Sequence, residues 1–205
     1  MPKKIYALCD YQTLKKFDVS LEKFLQICHS YDTVYIQYRD KINSLEIQKQ
    51  NIFYLKSHTN IPIIINDKIE LLKFADGIHL GQEDIAAFIG DSKKTSLQFI
   101  RKNYPNKLIG LSTHNEMEIL EANNLDLDYI GLGAYRATDT KDVKNHLGEK
   151  ISYLAKMSKH PVGAIGGVQL DDKIEYISFN VIASGLLQCN KKYIFQENKN
   201  AKKNR

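Results

Sequence analysis

Short apolar runs with the two-residue alternation of β-strands recur along the chain, separated by longer stretches with a helical period. The strand-like runs are KIYALCD (4 to 10), TVYIQYR (33 to 39), IPIII (61 to 65), DGIHL (76 to 80), KLIGLS (107 to 112), DYIGLG (128 to 133), PVGAIG (161 to 166) and FNVIAS (179 to 184). Between them SLEKFLQICHS, INSLEIQKQNIFYLKS, DIAAFIGDSKKTSLQFIRKN, NEMEILEANN and HLGEKISYLAKMSK place apolar residues near i, i+3, i+4 and i+7. Such alternation predicts right-handed βαβ units around a parallel sheet. Eight strands, several apolar on both faces, predict a closed α/β structure, a single compact (β/α)₈ TIM barrel. Residues 168 to 178 are too few for a full seventh helix, so that helix is expected to be shortened.

Composition narrows the picture. A length of 205 residues with 43% hydrophobic content suits one domain with a substantial core. The net charge of +5 lies entirely in KKYIFQENKNAKKNR, leaving 23 basic and 23 acidic residues elsewhere. Residues 1 to 190 are therefore read as the barrel domain and 191 to 205 as a basic, disordered tail, which argues against a nucleic-acid partner. No run approaches a membrane span and MPKKIYALCDYQ lacks a long apolar segment, so a cytoplasmic protein with no membrane partner is expected. Cys9, Cys28 and Cys189 are scattered and outside any paired spacing, which supports neither a disulfide framework nor a structural zinc. A homo-oligomer stays open.

In a barrel the residues following each strand gather at one mouth. Here they are Gln37, Arg39 and Lys41; Asn66 and Asp67; His79, Gln82 and Asp84; Ser112 and His114; Thr138, Thr140 and Lys141; Gly166 and Gly167; Ser184 and Gly185. Asp67, with Glu70 three residues on, has the spacing of a capping box, and Asp84 precedes Ile85 as a cap would. Facing a set of cations, the same two acids instead suit a magnesium ion, which takes one or two carboxylates and completes its shell with water and substrate phosphate. An inward arginine at a strand end calls for an anion, and a guanidinium matches a phosphate oxygen pair. His79 and His114 read as packing or capping residues. The glycines of AIGGVQ and IASGLL stand where barrels commonly hold phosphate on backbone N–H groups.

These residues resemble thiamine phosphate synthase, with the similarity running from Tyr6 to Leu186 through IQYRDK, IIINDKIELLKFADGIHLGQED, IGLSTHNEMEI, DYIGLGAYRATDTK, PVGAIGGV and VIASGLL. The resemblance implies a barrel transferase that joins hydroxymethylpyrimidine diphosphate to a thiazole phosphate, releasing diphosphate. It implies Gln37, Tyr38, Arg39, Asp40, Lys41 and Asn66 around the pyrimidine diphosphate, and Asp67 and Asp84 on Mg²⁺. Ser112 and Lys141 would lie on the diphosphate side, and Thr138, Thr140, Gly167, Ala183 and Ser184 on the thiazole phosphate. Arg39, Lys41 and Lys141 would stabilise the departing charge in a dissociative reaction. Where synthases carry a proline-containing turn, this chain has Gly133-Ala134-Tyr135-Arg136-Ala137. The related thiazole tautomerases use a histidine at the position of Ala134 and lack the two metal acids. The alternatives are accordingly a tautomerase-like relative or a non-catalytic barrel that binds a thiamine precursor.

Overall fold

The computed structural model describes residues 4–87, 92–137 and 146–188. Eight parallel strands close into a barrel in sequence order: β1 (Lys4–Asp10), β2 (Thr33–Arg39), β3 (Ile63–Asn66), β4 (Gly77–Leu80), β5 (Leu108–Thr113), β6 (Tyr129–Leu132), β7 (Val162–Ala164) and β8 (Phe179–Ile182). Strand β8 pairs back onto β1 with Tyr6 opposite Val181, which leaves no edge. The connections carry α1 (Tyr11–Phe17), α2 (Leu21–His29), α3 (Leu45–His58), a 3₁₀ turn (Ile69–Phe74), α4 (Gln82–Ala87), α5 (Lys93–Asn103), α6 (Glu116–Ala122) and α7 (Lys150–Lys156). The β7–β8 connection is shortened further than to a brief helix and consists of turns alone. Residues 191 to 205 lie outside the described residues.

Strand parity sorts the side chains into two layers. Ile5, Ala7, Cys9, Ile36, Tyr38, Ile63, Ile65, Ile78, Ile109, Leu111, Ile130 and Leu132 point outward and are buried under the helices. The alternate positions fill the barrel. Tyr6, Ile64, Tyr129, Phe179 and Val181, with Val34, Tyr35, Leu108 and Ile165 against them, form a plug. Tyr6 meets its neighbours edge to face, lying 5.5 Å from Tyr35 and 5.7 Å from Phe179, a geometry that favours aromatic pairs. One parity step toward the C-terminal ends of the strands lies a polar layer of Gln37, Asn66, His79 and Ser112, and beyond it the mouth.

Helix starts are fixed locally. The side chains of Asp10, Ser20, Ser44, Ser92 and Asn115 each accept a hydrogen bond from the backbone N–H three residues on. Such caps are worth about 1 kcal/mol each. Cys9 and Cys28 are free and buried. No helix among the described residues is long and apolar enough to cross a membrane.

Candidate active site at the barrel mouth

Asp67 follows β3 in a left-handed conformation (φ 61°), and this turn redirects its side chain across the mouth. It does not cap the following turn, whose N-cap is Lys68 without a side-chain bond. Instead Asp67 Oδ1 accepts the backbone N–H of Gly81 at 3.1 Å, at the end of β4. Asp84 lies in the first turn of α4 rather than ahead of it. Both carboxylates border Gly81: a methyl group there would collide with Asp84 Oδ2 and lie 4.0 Å from Asp67 Oδ1. The acids expected to meet across seventeen positions therefore share one spot. Burial, then the charge of Asp84, push the Asp67 carboxyl above the usual carboxylate range, against the opposing pull of the Gly81 N–H, Asn66 and Lys41.

A ladder of amides fixes Asp67 from the other side. Gln37 Nε2 donates to Asn66 Oδ1 at 2.7 Å, and Asn66 Nδ2 donates to Asp67 Oδ2. The order follows from register, since Gln37 is level with Ile64 on β3 and Asn66 with His79 on β4.

Arg39 finds its partner at the end of β1. Asp10, 3% exposed at the end of β1, pairs with Arg39 NH1 through Oδ2, while its Oδ1 accepts the N–H (2.8 Å) and hydroxyl (2.7 Å) of Thr13 to start α1. The available signal was D-x-x-T at a strand end directly before a helical run. Asp10, Thr13, Lys16, Arg39, Ser184 and Gln188 line part of a cavity of about 240 Å³ between α1 and residues 184–188, which form a short helix. A larger cleft of about 470 Å³ opens at the opposite end of the strands, by Pro62, Asp76 and Lys107, away from every candidate residue.

Two of the expected contacts turn elsewhere. Tyr38 has outward parity and is buried beneath α3, its hydroxyl donating to Asp40 Oδ2 and accepting from Asn51, each at 2.8 Å. Asp40 Oδ1 accepts the N–H groups of Ile42 and Asn43, and Oδ2 also accepts Asn43 Nδ2. Burial alone would raise its pKa, yet these bonds hold its carboxyl below the usual range. Tyr38 and Asp40 thus shape the loop that carries Lys41.

Ser112 Oγ lies 2.9 Å from His79 Nε2, and Gln82 Nε2 donates to the Ser112 carbonyl at 2.6 Å. His79 is 7% exposed, and burial lowers its pKa to about 4, so the imidazole is neutral. His114 precedes Asn115, the N-cap of α6, with its Nδ1 2.9 Å from Glu118 in the first turn of that helix. On the far side of the mouth Gly166 (φ 85°) and Gly167 (φ 66°) make a left-handed turn suited to glycine. Arg136 clamps it, donating from NH1 to the Gly167 carbonyl (3.1 Å) and to Asp172 Oδ2 (2.6 Å), and from NH2 to Asp172 Oδ1 (2.8 Å). Ala183 and Ser184 stand where β8 passes into the 184–188 helix. Thr138, Thr140 and Lys141 lie outside the described residues.

The family model described as "Thiamine monophosphate synthase" matches residues 5–183. The chain belongs to this family. A thiamine-phosphate synthase of Vibrio campbellii is 36% identical over 140 residues, covering 65% of this chain and 64% of that protein. Another, from Persephonella marina, is 33% identical over 174 residues, or 82% of this chain and 78% of the relative. Among solved structures, thiamine phosphate pyrophosphorylase from Pyrococcus furiosus superposes with a TM-score of 0.66 at 22% identity, covering 90% of this chain and 87% of that one, a likeness of fold. Relatives in the family are transferases of thiamine biosynthesis by name.

Proposed function

We propose that the barrel joins a hydroxymethylpyrimidine diphosphate to a thiazole phosphate, giving thiamine phosphate and diphosphate. The observation that carries this reading is the meeting of Asp67 and Asp84 at Gly81, beside Lys41 and the amide ladder of Gln37 and Asn66. Two acids set against each other raise the cost of leaving both charged, and a hard divalent ion relieves it. Among the described residues no group of three or more His, Cys, Asp or Glu side chains is arranged around a metal. A pair of carboxylates is the donor set magnesium uses when phosphate oxygens and water complete its shell. Held by Asp67 and Asp84, Mg²⁺ would supply Lewis-acid charge to the diphosphate.

The protein's own groups account for the rest. Breaking the bond from the pyrimidine methylene carbon to oxygen sends its electron pair out with the diphosphate, and Arg39, Lys41 and Lys141 meet that growing charge with fixed positive charge. Arg39 is held in place by Asp10, so its orientation is set before the substrate arrives. The electron-rich pyrimidine ring stabilises the cation left behind, and the thiazole nitrogen closes the new bond. No protein nucleophile or strong base is needed, in keeping with a mouth of amides, cations and one neutral imidazole. The thiazole phosphate is received by Thr138, Thr140, Gly167, Ala183 and Ser184. The reading is tested by incubating the protein with both substrates and Mg²⁺: thiamine phosphate and diphosphate should appear in equal amounts, and absence of product would refute it.

A further inference from the structure

A line of four buried or half-buried polar groups runs up the barrel axis to the mouth. Tyr6 Oη lies 2.8 Å from Tyr129 Oη, Tyr129 Oη lies 3.2 Å from His79 Nδ1, and His79 Nε2 lies 2.9 Å from Ser112 Oγ. The sequence leaves room for it. A methyl group at Gly110 would collide with the Tyr129 ring, and one at Gly131 would press to 3.1 Å from His79 Cε1. The His79 and Tyr129 rings stack at 5.6 Å between these gaps.

A neutral imidazole has one donor and one acceptor, so the line falls into two cases according to which ring nitrogen carries the proton. With the proton on Nδ1, His79 donates down to Tyr129, and the single Tyr6–Tyr129 contact remains for two hydroxyl protons, so one buried tyrosine proton is left over. Tyr6 is 1% exposed, and among the described residues Tyr129 is its hydroxyl's hydrogen-bond partner. An orphaned buried donor biases the equilibrium against this state on the order of thirtyfold. With the proton on Nε2, Tyr6 donates to Tyr129, Tyr129 to His79 Nδ1, and His79 Nε2–H to Ser112 Oγ. The unused proton is then that of Ser112, at the half-buried mouth.

We infer that Tyr6, Tyr129 and His79 form a one-way hydrogen-bond line that obliges the Ser112 hydroxyl to donate into the mouth, toward an oxygen of the departing diphosphate. This deepens the proposed function and rests on it. His79 and Tyr129 are positioning residues. They act through Ser112, and their value lies in presetting its proton before charge develops, so that no reorientation is needed during bond breaking.

The polarity is read on the resting protein by a two-bond ¹H–¹⁵N correlation spectrum of ¹⁵N-histidine-labelled enzyme, with His79 assigned through its contacts to the Tyr129 ring. The Nε2–H tautomer is expected, and the Nδ1–H tautomer would overturn the inference. Tyr129→Phe removes the donor to Nδ1. It should lower kcat at least tenfold while the KM for pyrimidine diphosphate changes less than threefold. In a Ser112→Ala background the same substitution should change kcat less than twofold; equal losses in both backgrounds would show Tyr129 acting through packing alone and refute the line. Because the spectrum needs no turnover, a protein inactive as a synthase would refute the proposed function while the tautomer still decides the polarity.

Discussion

Asp10→Asn separates two jobs done by one buried carboxylate. Its Oδ1 starts α1 by accepting from Thr13, and its Oδ2 orients Arg39. Asparagine keeps an acceptor for the cap but loses the charge facing the guanidinium. Two unit charges near 4 Å are worth about 4 kcal/mol at an effective dielectric of 20. Arg39 is 23% exposed, and desolvation of the pair opposes the attraction, so about half of that, ~2 kcal/mol, is a fair measure of the orienting effect. A loss of ~2 kcal/mol in transition-state stabilisation is roughly a thirtyfold fall in kcat/KM. The assay is steady-state formation of thiamine phosphate with pyrimidine diphosphate varied, alongside a thermal melt. Asp10→Asn should lose ten- to a hundredfold in kcat/KM and about 2 kcal/mol of stability with the ion pair, whereas Asp10→Ala should lose about 1 kcal/mol more with its cap. A kcat/KM for Asp10→Asn within twofold of wild type would refute the claim that Asp10 prepares Arg39.

Other consequences stem from the same geometry. His79 is held neutral with its pKa lowered to about 4 from an ordinary 6.5, so the unfolded chain binds a proton the folded one refuses. Its contribution to stability is complete above pH 6.5 and is lost as pH falls toward 4, in all about 3 kcal/mol; denaturant titrations of wild type and His79→Gln between pH 4 and 7 should show a flatter dependence in the variant. Gly110→Ala drives a methyl group into the Tyr129 ring and should cost about 3 kcal/mol, read as a melting point lower by roughly 6 to 12 °C. Arg136→Gln opens the clamp on the Gly166–Gly167 turn. It should raise the KM for thiazole phosphate about fivefold, with the KM for pyrimidine diphosphate within twofold.

Strand parity made most of the barrel readable. Alternation in TVYIQYR puts Tyr35, Gln37 and Arg39 inside and Ile36 and Tyr38 under the helices, as found. The same rule would have turned Tyr38 away from the mouth, where the resemblance alone had placed it. Asp67 shows where local pattern misleads, because D-x-x-E spells a cap, yet a left-handed residue at the strand end swings the carboxylate to Gly81. That conformation is imposed by the neighbouring strand and leaves no trace in spacing. The partners of His79 and Arg39 were hidden for a related reason. Ser112 is 33 residues from His79, and Asp10 is 29 from Arg39, so only the pairing of neighbouring strands brings them together. Asp10 ends the first strand just as Arg39 ends the second, and the parallel strand register that makes them neighbours was a legible clue to the pair.

The proposed mechanism turns on Asp67 and Asp84 jointly holding a divalent ion against the diphosphate. The most direct measurement is the Mg²⁺ dependence of thiamine phosphate formation in wild type, Asp67→Asn and Asp84→Asn. Wild type should be inactive after chelation and recover on adding Mg²⁺, and each variant should lose at least a hundredfold in kcat or require far more Mg²⁺ for half-maximal rate. Full activity in Asp67→Asn, or turnover by the chelated wild-type protein, would contradict it.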